Sequence, residues 1–335
     1  MKSMSSKLAI YILSTLLVFG VSTYAVAEQP TPVEPKINWE VPTNNFVGQK
    51  ALITYQAVPI EPIKQEQAQK MAEQLRETAG IRIPFDKVQE YDGRFIFTSS
   101  EDSSAAFDVD SATGAFLLNA GLKKYYSEGS TRGLPSPKNA PDLAREYLTK
   151  LRYLLQNKKE MVLARVGGLG MAAARDGKSS NKYEKLVTVF FRRVLQDVRV
   201  QGPGSRILVH LGEQAALVGL IRNWPDVKAQ KVSGDQVKSD EMIRHAIQRR
   251  LLKMADQAKE IIVQKTELVL FDDGRGVIEP AIYVVAAARY QGPKRAKGVV
   301  EIPVDFYVPV LLKPKGYYPF HKDAEAKWPG SDSEE

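Results

Sequence analysis

Three histidines, no cysteine and a few acidic pairs are the side chains with which this chain could do chemistry. His210 falls in an alternating, strand-like pattern, His245 inside a helical pattern and His321 near the C-terminal end. No H-E-x-x-H sets two imidazoles on one helical face beside a general base. Three histidines from separate segments read more simply as satisfied or exposed side chains than as a zinc site. The lack of cysteine excludes disulfides, thiol catalysis and thiolate metal sites. No G-x-S-x-G elbow presents a serine nucleophile; "GSTRG", residues 129–133, places Ser130 in a linker. "GGLG" at 167–170 and "GPG" at 202–204 lack dinucleotide-binding spacing, and no Walker A sequence occurs, so these glycines read as turns and close packing.

Acidic pairs remain. Asp108 and Asp110 share one face of a strand, with Glu101 and Asp102 nearby in sequence. Paired carboxylates divide acid and base roles in glycosidases, but exposed strand faces carry such pairs routinely. "FDDGRG", 271–276, resembles a turn or a fragment of a calcium loop and lacks the remaining ligand ladder. The residues therefore predict no enzyme, no metal centre and no cofactor.

The elements around these residues follow from periodicity. In 62–80 the apolar Ala68, Met71, Ala72, Leu75 and Ala79 recur at three and four, with Gly80 as the stop. From 90 to 119 the period becomes two: "GRFIFTSS" is one strand, and "AAFDVDSATGAFLLNA" is strand, turn and strand, Gly114 supplying the turn. The order then recurs. Asn139 is the expected N-cap of a helix carrying Leu143, Tyr147, Leu151, Leu154 and Leu155. A Gly- and Ala-rich stretch ends in an expected exposed loop, 165–184 being a candidate flap, and strands follow to Trp224. Arg192 and Arg193 read as a solvated edge or turn. A third round opens with Ser239 as cap of a helix over 240–260 bearing Ile243, Ile247, Leu251 and Met254, followed by three β-like runs.

A helix with one apolar stripe and a sheet with one apolar face bury both by packing together. The expected class is α+β, with repeated helix-plus-antiparallel-sheet modules. The expected divisions are 1–27 signal peptide, 28–60 proline-rich leader, 61–135 first module, 136–235 second module, 236–320 third module and 321–335 disordered tail. In the first of these, Lys2 and Lys7 precede the apolar run 8–21, and "AVA" at 25–27 offers a cleavage site. The run from Leu8 to Ala27 is also close to membrane-spanning length, so an uncleaved, membrane-tethered form is the alternative. Removing those two lysines from 47 basic residues leaves 45 against 39 acidic ones, a net charge of +6. That suits an anionic envelope surface without requiring one. The scattered basic pairs carry no nucleic-acid motif.

The stretch 187–224, "VTVFFRRVLQDVRVQGPGSRILVHLGEQAALVGLIRNW", resembles the PepSY and FTP-type modules of metallopeptidase propeptides. The residues that carry the resemblance are Val198, Val200, Gly202, Gly204, Val209, Gly212, Val218 and Gly219; "DVDSATGAF" at 108–116 is similar to a weaker copy of the same turn. The resemblance covers about 140–260 and implies a helix-then-meander fold that inhibits or chaperones a peptidase. No zinc peptidase motif follows in this chain, so the implied role is a free-standing one.

The resulting expectation is a secreted or envelope-located, non-catalytic module binding an extracellular protein, a secreted peptidase among the candidates. Phe190, Phe191 and Trp224 are the candidate partner contacts. Phe190 and Phe191 point to opposite strand faces, so one is expected in the core. The alternatives are an envelope-associated structural protein and an enzyme with a carboxylate site of unfamiliar form.

Overall fold

A computed structural model describes residues 34–48, 52–120, 122–125, 129–153, 158–175, 178–291 and 299–319. The chain begins with β1 (Lys36–Trp39), β2 (Ile53–Ala57), α1 (Gln65–Ala79), β3 (Lys87–Tyr91), β4 (Arg94–Thr98), β5 (Ala105–Asp110) and β6 (Phe116–Ala120). It continues through α2 (Ala140–Lys150), β7 (Met161–Arg175), β8 (Lys178–Leu195), β9 (Val198–Gln201), β10 (Arg206–Leu211), β11 (Leu217–Asn223) and β12 (Val227–Lys231). It ends with α3 (Asp240–Met254), β13 (Glu260–Asp272), β14 (Val277–Gln291) and β15 (Val299–Pro309). The expected signal segment 1–27, the tail 321–335 and His321 lie outside the described residues.

Fifteen strands are hydrogen-bonded in series, in the order β12-β2-β14-β13-β9-β8-β10-β11-β6-β5-β4-β3, with β1 on β13, β15 on β14 and β7 on β8. Only β1–β13 and β9–β13 are parallel among the described pairs. The fold is thus a mixed α and β one on a large, mostly antiparallel sheet, with three α-helices among the described residues.

The helices form where the periodicity placed them. Gly80 closes α1 in the left-handed region at φ 66°, and Ala68, Ala72 and Leu75 are its buried face. Ser239 Oγ accepts from the Met242 amide at 3.2 Å and starts α3, whose Ile243, Ile247 and Leu251 are buried. At α2 the cap differs from expectation. Asn139 is already in helical geometry and its side chain makes no cap bond, while Ser136 Oγ receives the Asn139 amide. That helix ends at Lys150, and Arg152 adopts φ 58°. Likewise α3 ends at Met254 rather than continuing to 260, and Met254 is exposed.

The helix stripes define two main cores. The aliphatic faces of α1 and α2 lie on β4–β8, β10 and β11, around Phe107, Leu118, Leu148, Phe191 and Val209. The α3 stripe lies on β13–β15, around Ile261, Ile282, Val284 and Phe306. β9 links them, pairing antiparallel with β8 and parallel with β13. β6 also pairs directly with β11, so strands from 61–135 and from 136–235 share one core.

Two expectations are corrected. The segment read as a leader contains β1 and β2; β1 lies beside β13, and the amides of Asn45 and Phe46 donate to Asp240 at the start of α3. In the 165–184 segment read as a flap, residues 165–175 belong to β7 and 178–184 to β8, two long strands paired antiparallel. Among the described residues, no helix is long and apolar enough to cross a membrane.

Candidate functional site

Because side chains alternate along a strand, the residues of β4–β8, β10 and β11 that miss the helix-covered core emerge on the opposite face. The registers align them into cross-strand rows. Asp108 lies opposite Leu117, Leu117 opposite Ile221, Ile221 opposite Leu208, Leu208 opposite Phe190, and Phe190 opposite Arg165. An apolar row of Leu117, Ile221, Leu208 and Phe190 therefore crosses four strands on the helix-free face. Leu117 is 39% exposed, whereas Phe190 is 8% exposed. A parallel polar row runs through Asn119, Gly219, His210 and Thr188. Tyr125, packed with Leu186 and Val218, occupies the end beyond it.

The other end carries arginines. Arg206 of β10 sits directly opposite Arg192 of β8. Arg192 stacks its guanidinium 4.8 Å from the Phe190 ring centre, and Arg165 lies 5.8 Å from the same ring. A bulge in β7 brings Arg165 there. Leu163 faces Phe191, yet Arg165, two residues on, faces Phe190, because Ala164 is the extra residue that reverses the alternation. No carboxylate among the described residues pairs with these three guanidiniums. Buried Arg206 Nε has no hydrogen-bond partner. Burial holds the Arg192 guanidinium below its usual range, with Arg206 and Arg165 pushing in the same direction. From the α3-containing part of the sheet, Tyr307 and Tyr283 come within electrostatic reach of Arg192. Their rings stack at 5.1 Å; Tyr307 donates to Gln201 Oε1 at 3.0 Å. Burial raises Tyr307 to about 12, keeping it a neutral donor at physiological pH.

Of the three expected contact residues, only Phe190 belongs to this face, as the floor beneath Arg192. Phe191 and Trp224 are 0% and 3% exposed members of the helix-covered core, which corrects their assignment as partner contacts. The Arg192-Arg193 pair is not a solvated edge either. Arg193 points into the core side, bonded to Glu160 at 3.2 Å and to the Pro225 carbonyl at 2.8 Å.

The other candidates are occupied structurally. Arg94 bonds Asp108 at 2.8 Å and Asp110 at 3.3 Å, and Asp110 also receives the Ala112 and Thr113 amides of its turn. Asp273 accepts from the amides of Arg275, Val277 and Tyr317, and Asp272 from that of Gly274. Burial raises the Asp272 carboxyl. Glu279 receives the amides of Lys315 and Gly316. No group of three metal-ligating side chains occurs among the described residues. His210 Nδ1 lies 2.9 Å from Thr188 Oγ1, and burial lowers its pKa. His245 is exposed, 3.7 Å from Glu241.

The arginine cluster left one sequence signal, the charged Arg192 within the apolar alternation of "TVFFRRVL". Arg165 left none, because the bulge places it.

No family model matches the chain, and no curated protein matches it. Among solved structures it is similar to an uncharacterized protein from Eubacterium rectale ATCC 33656, at 9% identity over 78% of this chain and 84% of that one, with a TM-score of 0.47.

Proposed function

We propose that this chain is an exported, non-catalytic binding protein that holds an extracellular protein partner on its helix-free sheet face. The observation that carries the proposal is the apolar row Leu117–Ile221–Leu208–Phe190, flanked by unpaired arginines, on a face that the three helices leave open. A sheet face of this size presents apolar contact area and orienting polar groups together, as protein interfaces do. The export signal and the PepSY/FTP-like stretch at 187–224 favour a secreted peptidase or another protein of the cell envelope as the partner.

The same proposal treats the chain as repeated modules. α1 followed by β3–β6 and α2 followed by β7, β8, β10 and β11 have the same order, and their last strands, β6 and β11, meet antiparallel. α3 followed by β13–β15 is a third, shorter version.

The test is affinity capture on immobilised residues 28–335 from the extracellular and envelope fraction, with hydrogen exchange of the captured complex. Protection should fall on β6, β8, β10 and β11, and Ile221→Asp should abolish capture while leaving the fold intact. Capture unaffected by Ile221→Asp, with protection elsewhere, overturns the proposed face.

A further inference from the structure

We infer that Arg165, Arg192 and Arg206 form a receiving site for the carboxylates of an extended acidic peptide segment, carried by the partner. This rests on the binding reading above and names the chemistry of what binds.

Charge distribution on the face is uneven. At one end Arg94 is neutralised by both Asp108 and Asp110. At the other, three guanidiniums from β7, β8 and β10 converge, and among the described residues none has an acidic partner. Like charges directly opposite on neighbouring strands destabilise a sheet, and Arg192 and Arg206 are in that relation. The Phe190 ring beneath Arg192 and Arg165 supports their guanidiniums from below. Arg206 Nε is buried, without a partner. A carboxylate bound against the Arg192 and Arg206 guanidiniums would offset that repulsion, through charge-assisted hydrogen bonds. Neutral Tyr307 and Tyr283 stand beside Arg192.

Geometry favours a peptide over a bilayer. Arg192 is half-buried in the sheet face, so a planar layer of headgroups engages it less closely than a narrow chain does. From Phe190 to Leu117 the apolar row spans three strand spacings, roughly 14 Å, which an extended segment covers in about four to five residues. The ligand class is therefore an extended segment with acidic residues at one end and apolar residues following.

The probe is a fluorescein-labelled peptide of three glutamates followed by three leucines, titrated into residues 28–335 and read by anisotropy. Its counterpart with lysines in place of the glutamates is the control. The glutamate peptide should bind and the lysine peptide should not. Arg192→Gln and Arg206→Gln should each weaken binding by about tenfold, the value of one charge-assisted contact. Lys313→Gln, at a residue grouped with Thr54 and Gln236 instead of the arginines, should leave binding unchanged, and circular dichroism should show all three variants folded. Equal binding of both peptides, or binding indifferent to both arginine changes in folded protein, overturns the inference. So does Arg192-dependent retention on phosphatidylglycerol vesicles without peptide binding. If the peptide fails while Ile221-dependent capture persists, the acidic site falls and the binding face stands. If the peptide binds in an arginine-dependent way but no partner is captured, the site stands and the proposed function falls.

Discussion

Replacing Arg206 by threonine should stabilise the ligand-free protein, an unusual direction for removing a partly buried side chain. Three contributions set the size. The substitution removes a like-charge pair held in register across β10 and β8, about 0.2–1 kcal/mol. It also removes a buried donor without an acceptor, Nε of Arg206, for which the desolvation cost is about 1–3 kcal/mol. Against these stands the loss of a half-buried methylene stem, about 1 kcal/mol at half the value of fully buried CH₂ groups. Threonine is well suited to a strand. The net expectation is a gain of about 1 kcal/mol, or about 1.5 °C in Tm for a chain of about 300 residues. Urea and thermal melts of residues 28–335 should be run at about 20 mM and about 500 mM salt, where screening differs strongly. Wild type should gain more from salt than Arg206→Thr, so their difference narrows. A variant less stable than wild type by about 1 kcal/mol, with the same salt slope, would mean that an attractive partner holds the guanidinium, and would refute the reasoning.

Three further outcomes follow from the same structure. Gly204→Ala would place a Cβ 2.0 Å from Asp272 Oδ1 and 2.2 Å from its Cγ, so the denaturant midpoint should fall by the equivalent of about 1–3 kcal/mol; an unchanged midpoint would show that the carboxylate yields freely. His210, whose folded pKa lies below its ordinary 6.5 through burial, takes up its proton in the unfolded chain first as pH falls. Its contribution is therefore fully present above about pH 6.5 and is lost as pH drops from there toward the folded pKa. Urea midpoints from about pH 8 to about pH 5 should decline less in His210→Gln; parallel profiles would show that His210 titrates alike in both states. Ser239→Ala removes the acceptor for the Met242 amide and should cost about 1 kcal/mol, read by thermal melting and by faster exchange of that amide. Unaltered exchange there would assign the capping to water.

Elements governed by local rules were legible before the fold was. The three-and-four spacing with Gly80 marked α1, Ser239 marked the start of α3, and Gly114 at φ 68° is where the turn between β5 and β6 was placed. The failures share a different cause. β1 pairs with β13 more than two hundred residues away, Lys36 against Glu260, and a proline-rich stretch carries no local mark of a partner so distant. The 165–184 part of the β7–β8 hairpin looked like a loop because glycine and alanine give weak alternation, whereas cross-strand pairing with the apolar β8 residues Val187, Val189 and Phe191 holds Gly168, Val166 and Leu163 extended.

The candidate site marks the division most clearly. The amino-acid order alone determined that Phe190 and Phe191 occupy opposite faces and that Arg192 and Arg193 must do the same, because side-chain alternation is a property of any strand. Which face received the helices, and hence that Phe191 entered the core while Phe190 became a floor under arginine, was decided by where α1 and α2 packed. The meeting of Arg165, Arg192 and Arg206 was decided by register and by one bulge at Ala164. A one-residue shift in either would send a guanidinium to the other side of the sheet, and those pairings exist only once strands remote in sequence have come together.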